Sequence, residues 1–235
     1  MPLRRLAGRH RSEMANWGLG AMLALIAGTV DVCGFLAYRQ FTSHMSGLTA
    51  TIAATLVSQG PRVILRPLAV LCAFVAGAAL CSILVNWFRR RDRESLFAVP
   101  LLLESLLLAL VPVLAAHIPA TPLLALMAFS MGLQNAAGAK LSNAQLRTTH
   151  VTGMVTDIGI ELGRALYWNH SSRHERVRSH GRLLLLKMLL VTLFLLGGIV
   201  AAFGYPRFGL HLLWPFAATL AALTFVPVAT DLFGR

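Results

Sequence analysis

Long apolar blocks alternate with short polar ones along the chain, and the apolar blocks cover residues 17–38, 67–88, 96–117, 123–139, 183–203 and 210–228. Each is 17 to 22 residues long. A helix rising about 1.5 Å per residue needs roughly 20 residues to cross about 30 Å of hydrocarbon. The pattern therefore predicts six membrane-crossing helices. Two shorter stretches, 45–57 and 151–160, are rich in Thr and Gly. As helix they would reach only about 20 and 15 Å, which predicts broken or re-entrant segments.

Both short stretches open on nearly the same phrase. "TSHMSGL" spans 42–48 and "TTHVTGM" spans 148–154, pairing Thr42 with Thr148, His44 with His150 and Gly47 with Gly153. Upstream stand Gly28-x-x-Asp31-x-x-Gly34 and Gly132-x-x-Asn135-x-x-Gly138, each inside the preceding apolar block. Glycine permits close backbone approach and local unwinding, and Thr or Ser at a helix start can satisfy its first free N–H groups. A helix can begin inside a bilayer only where protein or a water-filled cavity shields those groups. Two such starts shield each other best near the midplane.

Basic residues choose between topologies, because Lys and Arg accumulate on the cytoplasmic side of short loops. If all eight segments cross, with the N-terminus inside, 13 basic residues fall inside and 8 outside. If both short segments re-enter, the balance becomes 17 to 4. Arg39, Arg62, Arg66 and Arg207 then lie outside, while "RRRDR" (89–93), Lys140 and Arg147 fall inside. Each half then has three crossings and one re-entrant piece, so the second half is inverted relative to the first. The expected fold is an all-α integral membrane protein of six full transmembrane helices plus two short re-entrant or broken helices. One transmembrane domain, 1–235, holds repeat one at about 17–117 and repeat two at about 121–229. Residues 1–16 form a cytoplasmic arm.

Composition agrees with a bilayer. With 57% apolar and 13% charged residues and a mean hydropathy of +0.69, the chain cannot wrap its apolar surface in charge as a soluble domain does. The net charge of +12 belongs to the loops, where "HSSRHERVRSHGR" (170–182) reads as a topology anchor beside anionic headgroups. No nucleic-acid partner is implied. The basic start followed by an apolar run resembles a signal peptide, but the run continues through Asp31, which predicts an uncleaved first span. Cys33, Cys72 and Cys81 lie within spans without CxxC spacing, which indicates neither disulfide nor metal site.

The segments "AGTVDVCGFLAYRQFTSHMSGLT" and "MGLQNAAGAKLSNAQLRTTHVTGMVTDIG" resemble the YoaK-like family of bacterial multi-spanning inner-membrane proteins. The resemblance covers nearly the whole chain. Its motifs D-x-x-G-F, H-M-[ST]-G, G-L-Q-N-A and V-T-G fall here on Asp31, Gly34, Phe35, His44, Met45, Ser46, Gly47, Gln134, Asn135, Ala136, Val151, Thr152 and Gly153. It implies fold and location, with little about activity. The chain departs from the family pattern at Leu48, where Asn is usual.

The expected substrate-binding residues are Asp31, Gly34, His44, Ser46, Gly47, Gln134, Asn135, His150, Thr152 and Gly153. Paired helix N-termini with a His beside each make an electropositive spot suited to anionic or carbonyl oxygens, and inverted repeats with discontinuous helices build many secondary-transporter sites. Asp31, Glu104, Asp157 and Glu161 are the candidates for proton coupling, since intramembrane carboxyls are costly unless used, paired or protonated. The competing structural readings are a cap for Asp31, a hydrogen bond to a neighbouring helix for Glu104, and an ion pair among Asp157, Glu161 and Arg164. Together these features predict an inner-membrane secondary transporter or permease for a small polar or anionic solute, with both termini cytoplasmic. The alternatives are a membrane-embedded enzyme using the His and carboxylate cluster, and a non-transporting scaffold or sensor. No GxSxG, HExxH or Walker-type loop is present, so no enzyme, cofactor or metal is expected. The lipid bilayer is the expected partner, and a homo-oligomer is compatible with the sequence.

Overall fold

A computed structural model describes residues 13–58, 63–91, 93, 95–141, 148–168 and 176–233. They form an all-helical fold, with no strand among the described residues. The helices are α1 (Glu13–Tyr38), α2 (Met45–Ser58), α3 (Leu65–Arg89), α4 (Ala98–Leu114), α5 (Ala120–Leu141), α6 (Val151–Leu166), α7 (Gly181–Phe208) and α8 (Leu213–Phe233). Among the described residues three apolar runs are long enough to cross a membrane by length and composition: Asn16–Tyr38, Leu65–Arg89, and Gly181–Ala229, which contains both α7 and most of α8. The last run is interrupted at Gly209, whose φ of +55° favours glycine, followed by a 3-10 turn at Gly209–Leu212.

The sequence-predicted segments and the helices agree to within five residues at each end except at the end of the 151–160 segment. The 96–117 block is helical only over Ala98–Leu114. Its start is set back because the backbone N–H and the hydroxyl of Ser95 both donate to the Asp231 carboxylate. The segment expected at 151–160 continues to Leu166. Its extra turn carries Glu161 and Arg164, which pair at 2.7 Å, while the His180 backbone N–H donates to Glu161 at 2.7 Å. Charge did not end this helix because the charges are partnered. The N-terminal arm, Arg62, Arg147, Arg235 and the loop beginning at His170 lie wholly or mostly outside the described residues.

Helices adjacent in sequence are not the principal partners. The most extensive packing is α3 on α5, α1 on α7, and α4 on α8. The first two pairs meet through glycine. A Cβ on Gly28 of α1 would lie 1.9 Å from the Phe194 carbonyl oxygen of α7, and one on Gly197 of α7 would lie 2.0 Å from that of Leu25. On the other side, a Cβ on Gly77 of α3 would come within 2.0 Å of the Phe129 carbonyl, and one on Gly132 of α5 within 2.1 Å of the Phe74 carbonyl. Lipid tails supply no hydrophobic drive to join helices, so close van der Waals approach takes its place. The Thr29 hydroxyl adds a bond to the Gly197 carbonyl at 3.1 Å.

Exchanging the two halves of the chain maps these contacts onto one another: Gly28 onto Gly132, Leu25 onto Phe129, Phe74 onto Phe194 and Gly77 onto Gly197. The last pair of helices repeats a spacing, not a contact. Pro100 and Pro112 of α4 stand as far apart as Pro215 and Pro227 of α8, and α4 is held to α8 by Ser105 donating to the Ala217 carbonyl at 2.8 Å and Trp214 donating to that of Ala109 at 3.1 Å.

Gly28→Ala, Gly77→Ala, Gly132→Ala and Gly197→Ala should each destabilise the folded protein by about 1–3 kcal/mol, the usual cost of overpacking a tight contact. Gly159→Ala, where a Cβ meets nothing within 4 Å, is the control. Thermal unfolding of the purified variants in detergent checks this, and equal melting temperatures for Gly77→Ala and Gly159→Ala would contradict the close-approach reading.

Candidate functional site

Between α1 and α2 the chain doubles back. Arg39 takes a positive φ of 56°, a conformation strained for a side-chain-bearing residue, and its N–H closes the end of α1 on the Phe35 carbonyl at 2.8 Å. The returning strand of chain lies on α1 and is fastened there by one carboxylate. Asp31 accepts the Thr42 N–H at 2.8 Å and hydroxyl at 2.9 Å, and the Ser43 N–H at 2.8 Å, all on Oδ1. Its Oδ2 accepts the Ser43 hydroxyl at 2.9 Å. Buried polar groups of this kind cost free energy unless bonded. Both Asp31 oxygens thus serve as the cap for a loop that has no secondary structure to satisfy it.

The second break is fastened by two amides in place of one carboxylate. Thr149 donates its hydroxyl to Asn135 Oδ1 at 2.6 Å, the counterpart of Ser43 on Asp31. Gln134 Nε2 donates to the Thr148 hydroxyl at 3.1 Å and to the Leu23 carbonyl of α1 at 2.8 Å. Asn135 returns its own Nδ2 proton to Met131 O at 2.9 Å. The two loops therefore reach equivalent positions through different chemistry, and the neutral pair spreads over two residues what Asp31 does alone.

After each loop a short helix begins with its histidine folded over the first turn. A Cβ on Gly47 would lie 2.1 Å from the His44 ring, and one on Gly153 would lie 2.3 Å from the His150 ring. The glycines make room for the imidazoles. Phe41 packs edge-on to His44 with centroids 6.0 Å apart and stacks on Phe35 at 4.7 Å, which steadies the first ring. His150 flanks α6 as its N-cap residue without a side-chain cap bond, so the ring is left to face elsewhere.

A cavity of about 830 Å³ opens between these two helix starts. Of the sequence-predicted residues, Asp31, His44, Ser46, Asn135, His150 and Thr152 line it. Gly34, Gly47, Gln134 and Gly153 do not line it but support residues that do. A Cβ on Gly34 would strike the Thr42 methyl at 2.6 Å, so this glycine lets the first loop lie against α1. Leu48, where the family pattern usually has Asn, is buried with Val70, Leu124 and Ala128; its departure alters packing and leaves the cavity wall unchanged. Phe74, Phe194, Ala78 and Ala139 also line the cavity, and the search for polar motifs missed them. Their signal was present: "FVAG" at 74–77 and "FLLG" at 194–197 repeat as the His phrases do.

The remaining carboxyl candidates stand apart. Asp157 is paired with Lys187 of α7 at 2.6 Å, and Glu161, paired within α6 with Arg164, also accepts the His180 N–H ahead of α7, so both carboxylates fasten α6 to its surroundings. Glu104 on α4 is fully buried and neither of its oxygens has a hydrogen-bond partner. The hydrogen bond to a neighbouring helix, the competing structural reading of Glu104, is not made among the described residues. None of the three lines the cavity.

A family model described as "Protein of unknown function (DUF1275)" matches residues 19–226. The chain belongs to the DUF1275 family. It is also similar to the UPF0700 transmembrane protein YoaK of Bacillus subtilis (strain 168), with 26% identity over 198 residues covering 83% of this chain and 86% of that protein. No solved structure matches it. With a transmembrane relative and these apolar helices, this DUF1275 chain is a membrane protein, and the two fastened loops and the cavity all fall inside the matched region.

Asp31→Ala should leave the Thr42 and Ser43 amides unpaired and cost about 2–4 kcal/mol, on the scale of one or two orphaned buried donors. Asp31→Asn keeps an acceptor for those amides and should cost less than half as much. Melting temperatures of the two variants in detergent check the order, and an equal loss in both would show that the negative charge, rather than the acceptor geometry, holds the loop.

Proposed function

We propose that this protein is a secondary transporter or permease of the bacterial inner membrane for a small polar or anionic solute, with its binding site in the central cavity. One observation carries the reading: residues of two sequence-related phrases from opposite halves of the chain line one cavity. In this reading α1, α3, α4, α5, α7 and α8 cross the bilayer, α2 and α6 are re-entrant, and the halves form an inverted repeat with both termini in the cytoplasm. The exchange of contacts between halves supports the repeat, as does the basic-residue balance of the loops. At 14 and 16 residues, α2 and α6 reach only about 21 and 24 Å. Such breaks at a repeat interface are the usual construction of a midplane site.

Asp31 commits both oxygens to Thr42 and Ser43, so it does not orient a histidine as a catalytic base would be oriented. This favours transport over membrane-embedded catalysis. Of the proton-coupling candidates, Asp31 is the one that borders the cavity, and a change in its protonation would act directly on the first loop.

Two measurements test the reading. In a background with Cys33, Cys72 and Cys81 replaced, Thr152→Cys should react with a membrane-impermeant thiol reagent from either face of sided vesicles, because a carrier opens its site to each side in turn. Reaction from one face alone would contradict a carrier. In the same background, Arg90→Cys and Arg178→Cys should label from the same, cytoplasmic face. Labelling from opposite faces would overturn the inverted-repeat topology.

A further inference from the structure

The cavity wall is more specific than a generic polar site. Among the described residues its titratable side chains are Asp31, His44 and His150, and none that lines it is a Lys or Arg. The Asp31 charge is already met by four donors from Thr42 and Ser43, leaving no unpaired carboxylate to attract a cation. The donors left along the wall are two imidazoles and the Ser46 and Thr152 hydroxyls. A doubly charged inorganic anion would find no fixed cation to offset its desolvation. A single carboxylate is better matched to two imidazoles and a few hydroxyls.

The rest of the wall is apolar. Phe41, Phe74 and Phe194 line it together with Met45, Val151 and the methyl groups of Ala78, Ala136 and Ala139. Phe74 and Phe194 come from equivalent positions of α3 and α7, so each half contributes one ring of this pair and one imidazole, with Phe41 added by the first half. A volume of about 830 Å³ is in the range of sites for organic ligands and far exceeds what a bare ion occupies. Apolar walls with a few convergent polar groups select for a molecule that is itself divided in that way.

We propose that the cavity binds a small organic acid with an apolar, ring-sized body, its carboxylate taken by His44 and His150 with Ser46 and Thr152, and its body packed on Phe74 and Phe194. This rests on the transporter reading only for the word solute; binding itself requires no transport.

Benzoate and cyclohexanecarboxylate should raise the melting temperature of the purified protein in detergent saturably, whereas benzylamine and inorganic phosphate should leave it unchanged. The His44→Gln/His150→Gln double variant should weaken benzoate binding about tenfold or more while keeping the unliganded melting temperature, and Phe194→Ala should weaken it without changing the preference for acid over amine. A saturable shift with benzylamine or phosphate but not with benzoate overturns the proposal, as does no shift with any acid, or benzoate binding unaltered in the double variant. Protection of Ala139→Cys, which lines the cavity outside the groups assigned to the acid, separates this from the carrier reading. Labelling from both faces without protection by benzoate leaves the carrier standing and removes the organic acid. Protection by benzoate with labelling from one face does the reverse.

Discussion

Backbone polar groups in an apolar surrounding must find partners, and the loops at 39–44 and 148–150 meet that constraint with side chains. Each loop follows a long helix, turns back on it, and starts a short one. The donors at the turn have no helix of their own to bond with. Asp31 gathers those of Thr42 and Ser43, and Gln134 with Asn135 secures the Thr148 and Thr149 hydroxyls. The positions of α2 and α6, and of the cavity between them, follow from these few bonds.

Close helix packing is the second condition. The Asp31 and Asn135 helices, α1 and α5, are clamped to α7 and α3 through glycines that admit carbonyl oxygens. The same pairing brings Phe194 and Phe74 beside the loops, so the contact that holds the scaffold also supplies the apolar wall. The charged ends are secured separately, by Lys187 on Asp157 and by the Asp231 carboxylate on Ser95. Lys187, Asp157 and Asp231 thus fasten the periphery, and small residues with the Asp31 carboxylate and the Gln134 and Asn135 amides organise the centre.

The halves correspond in position without being chemically alike. Asp31 is ionisable and Asn135 is not, yet both hold a hydroxyl of the following loop. Gln134 has no carboxylate equivalent in the first half, where Val30 stands one residue before Asp31. A duplicated geometry kept by unlike residues indicates that the acceptor position is the shared requirement.

Much of this was readable beforehand. Long apolar blocks mark the helices because their backbone is satisfied internally and their side chains suit lipid. The doubled His phrase marks the cavity because its Gly, Thr and His serve a local purpose at each helix start. Other features needed the fold. Phe74 and Phe194 look like any core aromatics until α3 and α7 are set beside the loops, and the bonding of Asp31 to residues 11 and 12 positions away depends on the reversal at Arg39. Local periodicity and short-range caps are written in neighbouring residues. Partner choice among equally apolar helices is decided by which glycines meet which carbonyls, a matter of three-dimensional shape that hydropathy does not carry.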